Sequence, residues 1–301
     1  VTGPANSGPA ETSTRDGPED PLERRLRALV LEFPDLAEAA DVYRVTLPLL
    51  RDAGPIAAPV ALTEEQARKK ISAGEPLLHG ATLVFDPRAA RELMLRLARG
   101  LEGAGLAGIA PVRQALEDDR LTPGDLLAHA ADGDYPSVAA RADEQTLSPP
   151  LLWTLAQSAL KPALRAWCRQ LSPLVHNAGG WERSDCFLCG AAASLGELQG
   201  NGQSKHLRCG PCGADWPFRR LRCTHCGNED TASLGILYPE GRRDKVRVEV
   251  CDKCRGYLKV VSNFEPASPE ELAIEDLSTL YLDDYAQRQG YLRPQIRQGG
   301  L

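Results

Sequence analysis

The sequence predicts an α+β chain in several parts: a mainly α-helical N-terminal domain, two tandem four-cysteine modules and a C-terminal helix. Three observations carry this prediction. Helical periodicity with explicit start and stop signals runs from Pro21 to about Gln170. Eight of the nine cysteines then fall as C-x-x-C pairs between Cys186 and Cys254. Short alternating patterns of the β type separate those pairs.

The helical part is read from its caps and stripes. Leu22, Leu26, Leu29, Val30 and Phe33 form an i, i+4, i+7, i+8, i+11 stripe that Pro34 stops. Asp35 is placed to cap the next helix, through Leu36, Ala39, Ala40, Tyr43 and Leu47. Thr63 and Gln66 make a capping box for a helix that ends at Gly74. Asp86-Pro87 opens a helix with an N-cap and a proline at the first helical position, followed by Leu93, Leu97 and Leu101. Thr122-Pro123 and Ser148-Pro149 repeat the device. The last helix of this part is expected from about Pro150 to Leu171, kinked at Pro162. The stretch His176 to Asp185, with Asn177 and two glycines, ends it. No internal repeat is present, which argues against a solenoid.

The cysteine pairs are Cys186/Cys189, Cys209/Cys212, Cys223/Cys226 and Cys251/Cys254. Two residues between thiolates let a tight turn bring both sulfurs onto one cation. Gly190, Gly213 and Gly227 directly follow their knuckles, and Gly256 follows one residue later, where a positive φ is expected. Between Cys189 and Cys209 lie 19 residues, a metal-site spacing; between Cys226 and Cys251 lie 24, room for a hairpin. Leu195–Leu198 with Lys205–Arg208, and Leu234–Tyr238 with Val246–Val250, are the expected hairpins. Knuckle, hairpin, knuckle is the layout of a rubredoxin-like or zinc-ribbon module. Cys186, Cys189, Cys209 and Cys212 are therefore paired as one site, and Cys223, Cys226, Cys251 and Cys254 as the other. An interleaved pairing satisfies the spacing too. A Ser268-to-Glu271 capping box opens a C-terminal helix to about Gln289, packed through Leu272, Leu277, Leu280 and Tyr281. The expected divisions are a flexible tail (1–20), a helical domain (21–178), a first module (179–221), a second (222–265), and a terminal helix and tail (266–301).

Composition narrows the function. The net charge is −6, but residues 181–260 carry 13 Lys and Arg against 10 Asp and Glu, a net +3. An acidic chain with a mildly basic metal region is a poor candidate for general nucleic-acid binding. No apolar run reaches the length of a membrane span. The first twenty residues have no apolar secretory core, and thiols in metal-type spacing point to the reducing cytoplasm. Neither a catalytic triad, a phosphate-binding glycine loop nor an H-E-x-x-H motif occurs, so no catalytic residue is assigned and a non-enzyme is expected. His206 and His225 lie beside ligands, but eight thiolates already fill two shells. Cys168, beside Trp167 on a helix, reads as a small buried hydrophobe. Arg208, Arg219, Arg220 and Arg222, interleaved with Trp216 and Phe218, read either as a docking face or as a solvated surface.

Three stretches carry a family resemblance: HLRCGPCGADWPFRRLRCTHCGN from His206 to Asn228, CDKCRGYLKV from Cys251 to Val260, and EDLSTLYLDD from Glu275, with QGYL closing at Leu292. Together they resemble the formate dehydrogenase accessory protein FdhE family, strongly over about 181–292. The eight cysteines match that family's rubredoxin-type motifs one for one. Trp216, Arg219 and Tyr257-Leu258-Lys259 also match it in type. The first knuckle departs from it, with Phe187-Leu188 where a proline-containing pair is expected. The resemblance implies a cytoplasmic maturation factor that binds the catalytic subunit of respiratory formate dehydrogenase and turns over no substrate. It also implies two metal ions, with iron favoured. From geometry alone zinc suits the same four thiolates. A rubredoxin-like iron electron carrier and a nucleic-acid-binding zinc ribbon are the competing readings. Nothing in the sequence speaks to homo-oligomerisation.

Overall fold

The computed structural model describes residues 20–238 and 245–293. All but the last residue of the expected tail at 1–20, the end of the terminal segment from 294 to 301, and the turn at 239–244 lie outside these residues.

Eight helices come first: α1 (Pro21–Glu32), α2 (Ala37–Arg51), α3 (Glu64–Ala73), α4 (Pro87–Gly103), α5 (Ile109–Glu117), α6 (Pro123–Ala131), α7 (Tyr135–Glu144) and α8 (Pro149–Asn177). Their starts follow the local chemistry only in part. Thr63 and Gln66 close the expected capping box, with Gln66 N donating to Thr63 Oγ1 at 3.2 Å and Thr63 N to Gln66 Oε1 at 2.9 Å. Asp86 accepts from the Arg88 and Ala89 amides at 2.9 Å. Asp35, however, does not cap α2. It sits inside a single 3-10 turn, Pro34–Leu36, and Leu36 occupies the cap position without a side-chain bond. Thr122 and Ser148 occupy their cap positions but make no cap hydrogen bond, so the proline at the first position marks those starts. The helix α8 runs 29 residues, past the expected stop at Leu171 and through both Pro162 and Pro173. It is the axis of the helical body: Leu152, Leu155, Leu160, Leu164, Trp167 and Leu171 all sit in one core with residues of α4, α5, α6 and α7.

The cysteine region forms one six-stranded sheet: β1 (Leu195–Gln199), β2 (Ser204–Arg208), β3 (Asp215–Pro217), β4 (Leu234–Leu237), β5 (Val246–Cys251) and β6 (Tyr257–Asn263), in the order β3-β2-β1-β6-β5-β4. Both expected hairpins are present, β1 with β2 and β4 with β5. The two modules are not separate beads. A parallel pair, β1 with β6, joins them, with Gly196 opposite Val260. All other neighbours are antiparallel.

Period-two alternation then divides the sheet into two faces. Leu198, Leu207, Leu258 and Val260 join the core of the helical body. Leu195, Val246, Val248, Val250, Tyr257 and Val261 pack under the C-terminal helices. Those are α9 (Pro269–Ser278) and α10 (Leu280–Arg288), two helices where one was expected. The break falls at Thr279, with φ −110°. Its effect is to shift the inward face: Leu272 and Leu277 are buried as expected, but Leu280 is exposed and Leu282 takes the buried place.

Candidate metal centres

The four knuckles share one local structure. In each, the amide of the first cysteine donates to a carbonyl five residues on: Cys186 to Ala191 at 2.8 Å, Cys209 to Ala214 at 2.9 Å, Cys223 to Asn228 at 2.8 Å and Cys251 to Gly256 at 3.0 Å. A second bond returns to the first cysteine's carbonyl from Gly190, Gly213, Gly227 and Arg255, at 2.8 to 3.1 Å. That returning residue is left-handed in every case, with φ between +57° and +72°. The expectation that Gly256 serves this role in the fourth knuckle is corrected. Arg255 takes the positive φ, and Gly256 is needed for space, because a Cβ there would lie 2.3 Å from His225 Cδ2. Amides also point at sulfur: Leu188 N to Cys186 Sγ at 3.4 Å, His225 N to Cys223 Sγ at 3.3 Å and Gly256 N to Cys254 Sγ at 3.4 Å. Such donors favour the thiolate form.

The knuckles meet in sequential pairs. Cys186, Cys189, Cys209 and Cys212 gather their sulfurs in one cluster, and Cys223, Cys226, Cys251 and Cys254 in another, each within 4.8 Å overall. Closest approaches are 3.5 Å for Cys186–Cys212 and Cys189–Cys209, 3.7 Å for Cys223–Cys254 and 3.8 Å for Cys226–Cys251. A disulfide brings sulfurs to about 2.05 Å, and all nine cysteines are free. A tetrahedron with metal–sulfur bonds of about 2.3 Å has an edge of about 3.8 Å. The spacing fits a four-thiolate cation site and leaves no position for a substrate.

The two clusters differ in setting. Cys186, Cys209 and Cys212 are buried and belong to the core shared with α8. Cys226 is exposed, so the second cluster lies at the surface. In the first, burial pushes the Cys186 and Cys212 thiols well up, while hydrogen bonds from Cys186, Cys209 and Cys212 hold Cys189 well below the usual thiol range. In the second, burial and neighbouring thiols push Cys254 up to about 12. A bound cation supplies the charge that such crowded sulfurs otherwise share through protons.

Phe187 and Leu188, the departure in the first knuckle, have a structural cause. Both are buried, and their carbonyls accept from Leu77 N and Leu78 N at 2.8 and 3.0 Å. Phe187 meets Trp216 edge-on at 6.1 Å. The apolar pair plugs the first module into the helical body. Trp216, 2% exposed, donates from Nε1 to the Arg183 carbonyl, so it is not part of a docking face. Arg208 is likewise buried; Arg219 and Arg220 are at the surface. Neither histidine joins a cluster: His206 Nδ1 faces Asp215 at 2.5 Å and His225 Nε2 faces the Tyr257 carbonyl at 2.9 Å. Cys168 is buried beside Ser172, as expected of a small hydrophobe.

Sequence reasoning passed over the buried charges that clamp the modules together. Glu197, 0% exposed, accepts from Arg208, from Asn263 at 2.6 Å and from the Ala267 amide at 2.9 Å. Lys205 reaches from β2 to Glu249 on β5 at 2.5 Å. Lys259 is held by Asp276 at 2.7 Å and Asp283 at 2.6 Å, while Tyr257 Oη donates to Asp283 at 2.7 Å. The break at Thr279 is what lets aspartates of α9 and α10 converge on one ammonium. The available signal was a charge at an inward position of an otherwise apolar strand, as at Glu197 and Lys259.

The architecture defines a class: a helical scaffold bearing, on a single sheet, two four-cysteine modules able to hold metal ions. Comparison with known proteins gives its likenesses. The family model described as "FdhE, C-terminal domain" matches residues 221–298. A "Protein FdhE homolog" from Stutzerimonas stutzeri is 34% identical over 52% of this chain and 51% of its own length. Another, from Edwardsiella ictaluri, is 26% identical over 87% of this chain and 78% of its own. The chain thus spans about half the length of the first relative and more of the second. The crystal structure of the FdhE protein from Pseudomonas aeruginosa superposes with a TM-score of 0.59 at 26% identity, covering 93% of each chain. The chain is thus similar to FdhE proteins over most of its length, and residues 221–298 match that family's C-terminal domain. Among the described residues no helix is long and apolar enough to cross a membrane.

Proposed function

We propose that this chain is a non-catalytic accessory factor for formate dehydrogenase, acting in the cytoplasm on that enzyme's catalytic subunit. The observation that carries the reading is the pair of complete thiolate clusters on one sheet, keyed into a helical body. Closed four-sulfur shells suit a rigid binding scaffold and offer no open coordination position for turnover. Cys186, Cys189, Cys209 and Cys212 would hold one ion, and Cys223, Cys226, Cys251 and Cys254 the other. Family resemblance favours iron, and zinc suits the same donors. Bound metal would supply folding free energy on the order of 10 kcal/mol per site. The functional parts are the helical domain (21–178), the two modules (179–221 and 222–265) and the C-terminal segment (266–301).

The test is capture. A tagged chain purified without oxygen from formate-respiring cells is expected to bring down the catalytic subunit and to carry two metal ions. Absence of that subunit from the capture rejects the assignment. The exposed second cluster is the observation that favours an electron-carrier reading instead. That reading requires a reversible iron couple, and zinc-loaded protein with full client binding removes it.

A further inference from the structure

The two edges of the sheet are not alike. At one end β3 is three residues long and finishes on Pro217, which has no amide hydrogen to offer. At the other end β4 pairs, among the described residues, only with β5. Its sequence, Leu234-Gly235-Ile236-Leu237, holds neither a charge nor a proline to deter a further strand. Ile236 is 45% exposed and Leu221 66% exposed. Both line a cavity of about 170 Å3 beside the second cysteine cluster.

Among the described residues the walls of that cavity carry Arg220, Arg222 and Arg247 against one carboxylate, Glu249. Glu249 is already engaged, by Lys205 and by Arg247, each at 2.5 Å. The Nε atoms of Arg222 and Arg247 are buried and have no hydrogen-bond partner among the described residues. Glu229 stands 3.6 Å from Arg222 Nε, beyond hydrogen-bond reach. Buried donors of this kind are costly until an acceptor meets them, and an arginine fork suits a carboxylate. An uncharged edge strand supplies the complementary backbone.

We propose that β4 and the arginine-walled cavity beside it form a docking edge for an extended, acidic peptide segment of the client. The segment's backbone adds to β4 as a further strand, its apolar side chains cover Ile236 and Leu221, and a carboxylate enters between Arg222 and Arg247. Only the identification of the donor as the client rests on the accessory-factor reading. The site itself rests on the edge and its charges.

The probe is a labelled seven-residue peptide alternating Val and Glu, compared by fluorescence anisotropy with its Val–Lys counterpart on the metal-loaded full chain. The acidic peptide is expected to bind preferentially and to weaken with added salt. Arg220→Glu, an exposed change that leaves the fold intact, is expected to cost about tenfold or more in affinity. Arg219→Glu, outside the cavity, is expected to change it by no more than about twofold. Equal binding of both peptides, or indifference to Arg220→Glu, overturns the proposal. So does a dimer in sedimentation that Ile236→Glu dissolves while the peptide fails to bind, since a second copy then occupies the edge. Capture separates the two readings. If Arg220→Glu retains the client as well as the unmodified chain does, the docking edge falls and the accessory role stands. If the unmodified chain captures no client, the accessory role falls and the peptide titration alone judges the site.

Discussion

Replacing Cys212 by serine tests how the first cluster is tied to the rest of the molecule. Its sulfur is buried, 3.5 Å from that of Cys186 and 3.8 Å from that of Cys189. Serine leaves three thiolates and a hydroxyl that is a poor ligand for a thiophilic metal. A structural metal site is worth on the order of 10 kcal/mol, about the whole stability of an ordinary domain, roughly 5–15 kcal/mol. Phe187, Leu188 and Trp216 share a core with α8, so loosening this module also exposes apolar surface of the helical body. The expected outcome for Cys212→Ser is loss of at least one of two metal ions per chain and a melting point lowered by about 10 °C or more. Cys226→Ser removes an exposed sulfur from the other cluster. It is expected to cost one ion while the helical transition, followed by circular dichroism, moves only a few degrees. Metal analysis and thermal melts of the two variants decide the matter. Equal melting points, or two ions retained by Cys212→Ser, refute the claim that the first cluster is a keystone.

A chelator added to metal-loaded protein should release metal in two phases, the surface cluster first; the fast phase should vanish in Cys226→Ser. Lys259→Met leaves the Asp276 and Asp283 carboxylates, among the described residues, with Arg293 as their one shared cation and Tyr257 Oη still donating to Asp283. Breaking a buried pair costs about 3–5 kcal/mol, and partial exposure of Asp276 argues for the lower end. A double-mutant cycle with Asp283→Asn in urea should show coupling well above 1 kcal/mol, about the ceiling for exposed pairs. Gly213→Ala forces a side chain into a residue at φ +72° with its Cβ 2.8 Å from Pro269 Cγ. It should destabilise by about 2 kcal/mol or more. Burial, then the Arg165 charge, lowers the Lys161 pKa. In the window between its folded value and its ordinary one the unfolded chain binds more protons, so this group's contribution to stability rises with pH there. Lys161→Met should therefore gain stability at neutral pH and flatten that rise in urea titrations run at several pH values.

Local rules in the sequence determined much of this protein. The four C-x-x-C knuckles, both hairpins and the Thr63 and Ser268 capping boxes all depend on residues close together in the chain, whose spacing encodes their geometry; which knuckles share a cluster is left open by spacing and is decided by the fold. Tertiary structure decided the rest. No local signal announces that β1 runs parallel to β6, because such a pairing spans some sixty residues and is selected by which faces need burying. The same holds for the kinship of Lys259 with Asp276 and Asp283. An inward charge on a strand shows that a partner must exist, but only the packed fold says where. The break at Thr279 and the move of the buried position from Leu280 to Leu282 accompany that partnership. The difference between a buried and a surface cluster also arises there, since the C-x-x-C spacing that the knuckles share carries no record of what packs over them.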